Sequence, residues 1–115
     1  MKLGCTEKQI HAAVIEHWLA CGVKDSLVAT IPNERAHGQA GLTKGLPDLL
    51  VMAPGLGVGF IELKRKGGKL RPEQERFRDL CNAIGVRYSA TFGRDEPISI
   101  LEAWGVVRAH KKEAA

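Results

Sequence analysis

The segment from Gly45 to Lys64 reads GLPDLLVMAPGLGVGFIELK. Two apolar runs, Asp48 to Ala53 and Val58 to Lys64, flank the turn Pro54-Gly55-Leu56-Gly57, the pattern of an antiparallel hairpin. Both arms should be mostly core. Yet the first opens on an acid, Asp48, and the second closes on an acid and an amine, Glu62 and Lys64. An unpaired charge in a half-buried strand costs free energy on the order of several kcal/mol. These three groups must therefore serve one another or a shared ligand.

Side chains alternate across a strand, so Glu62 and Lys64 share one face while Leu63 points to the other. The hairpin can bring Asp48, at the mouth of one arm, beside Glu62 at the far end of the other. Two carboxylates at about 4 Å repel by roughly 4 kcal/mol at an effective dielectric of about 20. A divalent cation between them removes that cost. Oxygen donors select a hard ion, Mg²⁺ or Mn²⁺ rather than zinc, and the Leu63 backbone carbonyl with waters can complete the shell. Such an ion polarises a phosphate and lowers the pKa of a bound water. Lys64 would orient that water or stabilise charge in the transition state. The basic connection Arg65, Lys66, Lys69 and Arg71 supplies further attraction for a polyanion.

Outward from this hairpin, Thr6 followed by Gln9 is a capping box. It opens a helix from Glu7 to Cys21 that Gly22 closes. Its inward stripe is Ile10, Ala13, Val14, His17, Trp18 and Cys21, and Glu7 tops that stripe rather than lying on the wet face. Leu27 to Ile31 reads as a strand. Pro32 to Pro47 is a long polar loop carrying Asn33, Arg35, His37 and Lys44, and loops of that length are often functional. Pro72 opens a helix to Ile84, ended by Gly85, with inward residues Phe77, Leu80, Cys81 and Ile84 and with Gln74 at its top. Val86 to Thr91 makes a fourth strand. Asp95 or Glu96 caps a last helix carrying Ile98, Leu101 and Trp104. The order is α-β-β-β-α-β-α: a mixed sheet flanked by helices in an α/β domain.

With 115 residues, 44% of them hydrophobic and 26% charged, the chain reads as one globular domain over residues 1–115. Its core is expected over about residues 6–104, and residues 108–115 read as a frayed tail. Lys and Arg outnumber Asp and Glu by 17 to 13, a mild excess that favours a polyanionic partner. Cys5, Cys21 and Cys81 have neither disulfide-framework nor zinc-knuckle spacing, and Cys21 and Cys81 fall on apolar helical stripes. The polar N-terminus lacks a signal-peptide pattern, and no apolar run nears membrane-spanning length. A reducing cytoplasm is the expected setting.

At these positions the sequence resembles the PD-(D/E)xK nuclease superfamily, and more narrowly the virus-type replication-repair nuclease (VRR-NUC) domain. The matching residues are Glu7, Pro32-Asn33, Gly45-Leu46-Pro47-Asp48, Glu62-Leu63-Lys64 and Gln74 in the helix after Pro72. Pro-Asp or Glu-x-Lys alone is a weak pattern, whereas five elements in order on the expected segments are a specific one. The resemblance implies a restriction-endonuclease-like core and a metal-dependent, structure-selective DNA endonuclease. It makes Asp48 and Glu62 metal ligands, Lys64 catalytic, and Glu7 and Gln74 supporting. Small stand-alone members from phages and bacteria resemble Holliday junction resolvases that work as homodimers. A two-fold pair of sites suits a four-way junction. One departure stands out: the family often has Ser or Thr before the proline of the Gln74 helix, and this chain has Arg71. Loss of that cap would cost the helix about 1 kcal/mol.

Plainer readings compete at each position. Asp48 can be a turn acid, Glu62 with Lys64 a solvated edge pair, Glu7 a first-turn acid facing the helix dipole, and Gln74 an ordinary first-turn residue. Arg65 to Arg71 can be a soluble loop. His11, His17 and His110 lack ligand-like spacing, and Trp18 and Trp104 read as core rather than base-stacking platforms. At the level of function, one rival is a non-catalytic nucleic-acid-binding subunit on the same scaffold. Another is a nuclease acting on flaps or RNA. Clustered carboxylates give a mere binder nothing.

Overall fold

The computed structural model describes residues 4–32 and 43–109. Its elements are α1 (Glu7–Cys21), β1 (Leu27–Thr30), β2 (Leu49–Ala53), β3 (Gly57–Lys64), α2 (Pro72–Ile84), β4 (Arg87–Phe92) and α3 (Asp95–Ala103). The strands lie in the order β1-β2-β3-β4. The first two pairings are antiparallel and β3 with β4 is parallel, with α2 as the crossover. This is the expected mixed α/β arrangement, and among the described residues every element stands where the sequence pattern places it to within a residue or so.

Strand alternation sorts the chain into two sides. Leu49, Val51, Ala53, Ile61, Leu63 and Val28 face α1 and α3 and close the core with Ile10, Val14, Leu101, Val106 and Val107. Each buried Val, Leu or Ile among them contributes about 1.5–3 kcal/mol by leaving water. The other side carries Phe60, Glu62 and Lys64. On it the ring of Phe77 from α2 meets Phe60 edge-on at 5.3 Å and Tyr88 at 6.1 Å. Leu27, Met52 and Val58, paired in register across β1, β2 and β3, stand partly exposed on the same side.

Three expectations need correction. On α2, Leu80 and Ile84 do not face inward: they are 55% and 66% exposed. The inward line is buried Gln74, half-buried Phe77 and buried Cys81, because the aromatic contact of Phe77 with Phe60 and Tyr88 sets the rotation of the helix. The tail does not begin at residue 108. Val107 forms an isolated bridge with Gly22, and Arg108 bonds the end of α1, its backbone N–H to the Cys21 carbonyl and its guanidinium to the carbonyls of Ala20 and Gly22. Carbonyls at a helix C-terminus lack partners within the helix, and a cation is the natural group to donate to them. Finally, no side chain of Asp95 or Glu96 caps α3. Its N-cap is Arg94, and Glu96 instead accepts from the Phe92 N–H at 3.1 Å, tying the helix to the end of β4.

Gly22 closes α1 with an ordinary negative φ of −59°. It is required for closeness, since a Cβ there would sit 2.6 Å from the Trp18 indole nitrogen.

Candidate active site

Asp48 precedes β2, where the chain enters from Pro47. Its backbone carbonyl accepts from Ile31 N–H on the β1 side at 2.8 Å. Its carboxylate turns the other way and accepts from Leu63 N–H of β3 at 2.7 Å. These two bonds fix the acid between its neighbours. In a strand, a residue's N–H and C=O leave toward the same side, so the Leu63 carbonyl also faces β2. Two residues beyond the pair Leu49↔Ile61, the residue opposite Leu63 is Pro47. Proline has no N–H, so the ladder offers that carbonyl no donor. The Pro-Asp sequence thus leaves one carboxylate and one carbonyl oxygen at a single spot.

Glu62 is only 3% exposed. Burial, then its hydrogen bond with Asp48 and the Asp48 charge, push its carboxyl up to about 9, against a smaller opposing pull from the Lys64 ammonium. Burial and the neighbouring acid thus favour the protonated form of the Glu62 carboxyl. The Glu62 Oε1 is buried without a hydrogen-bond partner. A buried acid pair with an oxygen left unpartnered is a donor set that a cation would complete. Two carboxylates and a carbonyl are hard donors that fit Mg²⁺ or Mn²⁺. Among the described residues no group of three His, Cys, Asp or Glu side chains could hold a metal, so a bound ion would need backbone and water oxygens for the rest of its shell.

Lys64 lies on the same face of β3 as Glu62 and is 5% exposed. Its carbonyl accepts from Gly93 N–H at 2.9 Å, anchoring the strand end to the turn after β4. Glu7 is exposed, not set into the inner stripe, because burial along α1 begins only at Ile10; its charge nonetheless reaches Glu62. Gln74 is buried, and its Oε1 accepts from Arg71 N–H at 2.8 Å. Where a serine or threonine cap is missing, the glutamine itself closes the start of α2. The first turn of α2 is held against the loop before Asp48: Gly45 has φ +89°, and any Cβ on it would collide with the Glu73 carbonyl oxygen. Arg65, Lys66, Lys69 and Arg71 are all exposed along the connection leaving Lys64, as is Lys44 before Gly45. Asn33, Arg35 and His37 lie outside the described residues.

Two residues here escaped the sequence reading. The buried Thr91 hydroxyl donates to the Glu62 carbonyl at 2.9 Å and steadies the backbone that carries the acid. Tyr88, whose strand partner is Phe60, has a buried hydroxyl without a partner, and burial followed by the Glu62 charge raises its phenol pKa. Nothing in sequence marks either one, since both depend on the β3–β4 register.

No curated protein matches the chain. A solved structure described as a VRR_NUC domain superposes with a TM-score of 0.63 at 23% identity, covering 85% of this chain and 97% of that one. That likeness is one of fold. Residues 5–95 match the VRR-NUC domain family. With most of its length matched, the chain belongs to the VRR-NUC family and is a nuclease-type domain that interacts with DNA.

Proposed function

We propose that this protein is a divalent-cation-dependent endonuclease that hydrolyses phosphodiester bonds in branched DNA, acting as a Holliday junction resolvase-like homodimer in a reducing cytoplasm. The observation that carries the reading is the Asp48–Glu62 pair with its idle buried oxygen, beside Lys64 on one strand face. Asp48, Glu62 and the Leu63 carbonyl are the groups that would hold Mg²⁺ or Mn²⁺. A bound ion of this kind supplies Lewis-acid activation of the phosphate and an acidified water. Lys64 orients the attacking water and stabilises negative charge as the phosphorane-like state forms. The exposed run Arg65, Lys66, Lys69 and Arg71 binds flanking phosphates, and Glu7 and Gln74 support the site from the starts of α1 and α2. A single site per chain suits a junction only if two chains present two sites about a two-fold axis.

Among the described residues no helix is long and apolar enough to cross a membrane. A purely binding role leaves the buried acid pair without a use, since burying an acid costs desolvation energy that contact with a polyanion does not recover.

The test is cleavage of a synthetic four-way junction, with fork, flap, RNA and linear duplex substrates alongside, in Mg²⁺ and in Mn²⁺. Asp48→Ala should abolish both metal binding and cleavage. Lys64→Ala should keep metal binding and lose cleavage by about 10²–10³-fold. Junction cleavage that survives Asp48→Ala would refute the assignment. DNA binding without cutting under either ion would favour the binding subunit instead.

A further inference from the structure

Among the described residues the buried side-chain oxygens without a hydrogen-bond partner are Glu62 Oε1 and Tyr88 Oη. They are neighbours by topology. Tyr88 pairs with Phe60 on the parallel strand, so it shares the face of Phe60 and Glu62 and stands one diagonal step from the acid. The residue directly beside Glu62 is Ala90, a small side chain. The Phe77 ring packs against the phenol at 6.1 Å and restricts its swing. After burial itself, the Glu62 carboxylate is the group acting most strongly on the phenol.

A phenylalanine would fill this aromatic cluster without the cost of an unpaired hydroxyl, which is about 1–3 kcal/mol. The O–H therefore has a use beyond packing. We infer that Tyr88 is a positioning residue for Glu62: through one bridging water its hydroxyl donates to Glu62 Oε1 and holds the ionised carboxylate in the orientation that binds the divalent cation. The water needs both polar partners, and both are present without other engagement. Tyr88 itself touches neither cation nor DNA. The inference rests on the cation-dependent reading proposed above.

The experiment uses the full chain and two readouts besides cleavage. Mn²⁺ affinity is measured by calorimetry for wild type and Tyr88→Phe, with folding checked by circular dichroism and melting in EDTA. Loss of an outer hydrogen-bond partner weakens metal binding by about 10–100-fold, and that loss is expected with melting unchanged or raised. The chain has a single tyrosine, so a ring-labelled tyrosine sample gives one Cζ resonance. It should shift when diamagnetic Mg²⁺ is added to wild type and stay still in Glu62→Gln. If wild type takes up no Mn²⁺, the cation reading fails and this inference with it. If wild type binds the ion but Tyr88→Phe binds it equally well, or the Tyr88 resonance does not respond to Mg²⁺, the inference fails and the cation reading stands. The resonance readout needs no Tyr88 variant, so misfolding of Tyr88→Phe cannot shelter the proposal.

Discussion

Replacing Glu62 by glutamine separates the stability of this fold from its proposed activity. In the metal-free protein the Glu62 carboxyl titrates at about 9, against 4.5 when exposed, because it is buried and hydrogen-bonded to Asp48. Between those values the folded state holds one proton that the unfolded chain has released. Stability from this group is therefore complete below the lower value and is lost as pH rises toward the upper one. One proton corresponds to about 1.4 kcal/mol per pH unit, so from about pH 6 to about pH 8 the loss is about 3 kcal/mol. For 115 residues the unfolding entropy converts each kcal/mol to about 4 °C, so melting in EDTA should fall by about 10 °C over that range. Glutamine cannot ionise, so Glu62→Gln should lack this slope, and subtracting the two profiles removes every other titrating group. Added Mg²⁺ or Mn²⁺ should restore wild-type melting at the alkaline end, since the ion binds the ionised acid, and should not affect the variant. Parallel melting profiles for wild type and Glu62→Gln in EDTA would refute both the raised Glu62 carboxyl and the cation fit inferred from it.

Further outcomes follow from the surrounding structure. Gly45→Ala forces a side chain into the Glu73 carbonyl at φ +89°; thermal melting should show a loss of about 1–3 kcal/mol, with cleavage falling because Asp48 and the start of α2 lose their brace. Arg108→Ala removes the guanidinium bonds to Ala20 and Gly22 and should cost about 1 kcal/mol in denaturant titration with junction cleavage intact. Replacing Arg65, Lys66, Lys69 and Arg71 together by alanine should flatten the salt dependence of duplex binding. The slope of log affinity against log salt should fall by up to about 0.9 for each phosphate left without its cation, with Mn²⁺ affinity unchanged.

Most of the fold was legible because local signals agreed. The Thr6–Gln9 box forms as read, with mutual bonds of 2.9 and 3.1 Å, and Pro72 and Gly85 bound α2 at both ends. Alternation along β2 and β3 placed Glu62 and Lys64 on one face before any coordinates. The rotation of α2 was not legible: Leu80 and Ile84 look like core by spacing, and only the contact of Phe77 with Phe60 and Tyr88 turns them outward. Arg108 was equally hidden, because a capping contact to Ala20 and Gly22 spans most of the chain.

The order of residues determined by itself which groups could do chemistry, since periodicity and turn residues act over a few positions and mark Asp48 at the mouth of one strand and Glu62 with Lys64 at the end of the next. Only tertiary structure decided what those groups become. The Leu63 N–H grip on Asp48, the donorless carbonyl opposite Pro47, the raised carboxyl of Glu62 and the adjacent Tyr88 hydroxyl all arise from register between separate strands. Register is set by the whole core, and no local pattern contains it.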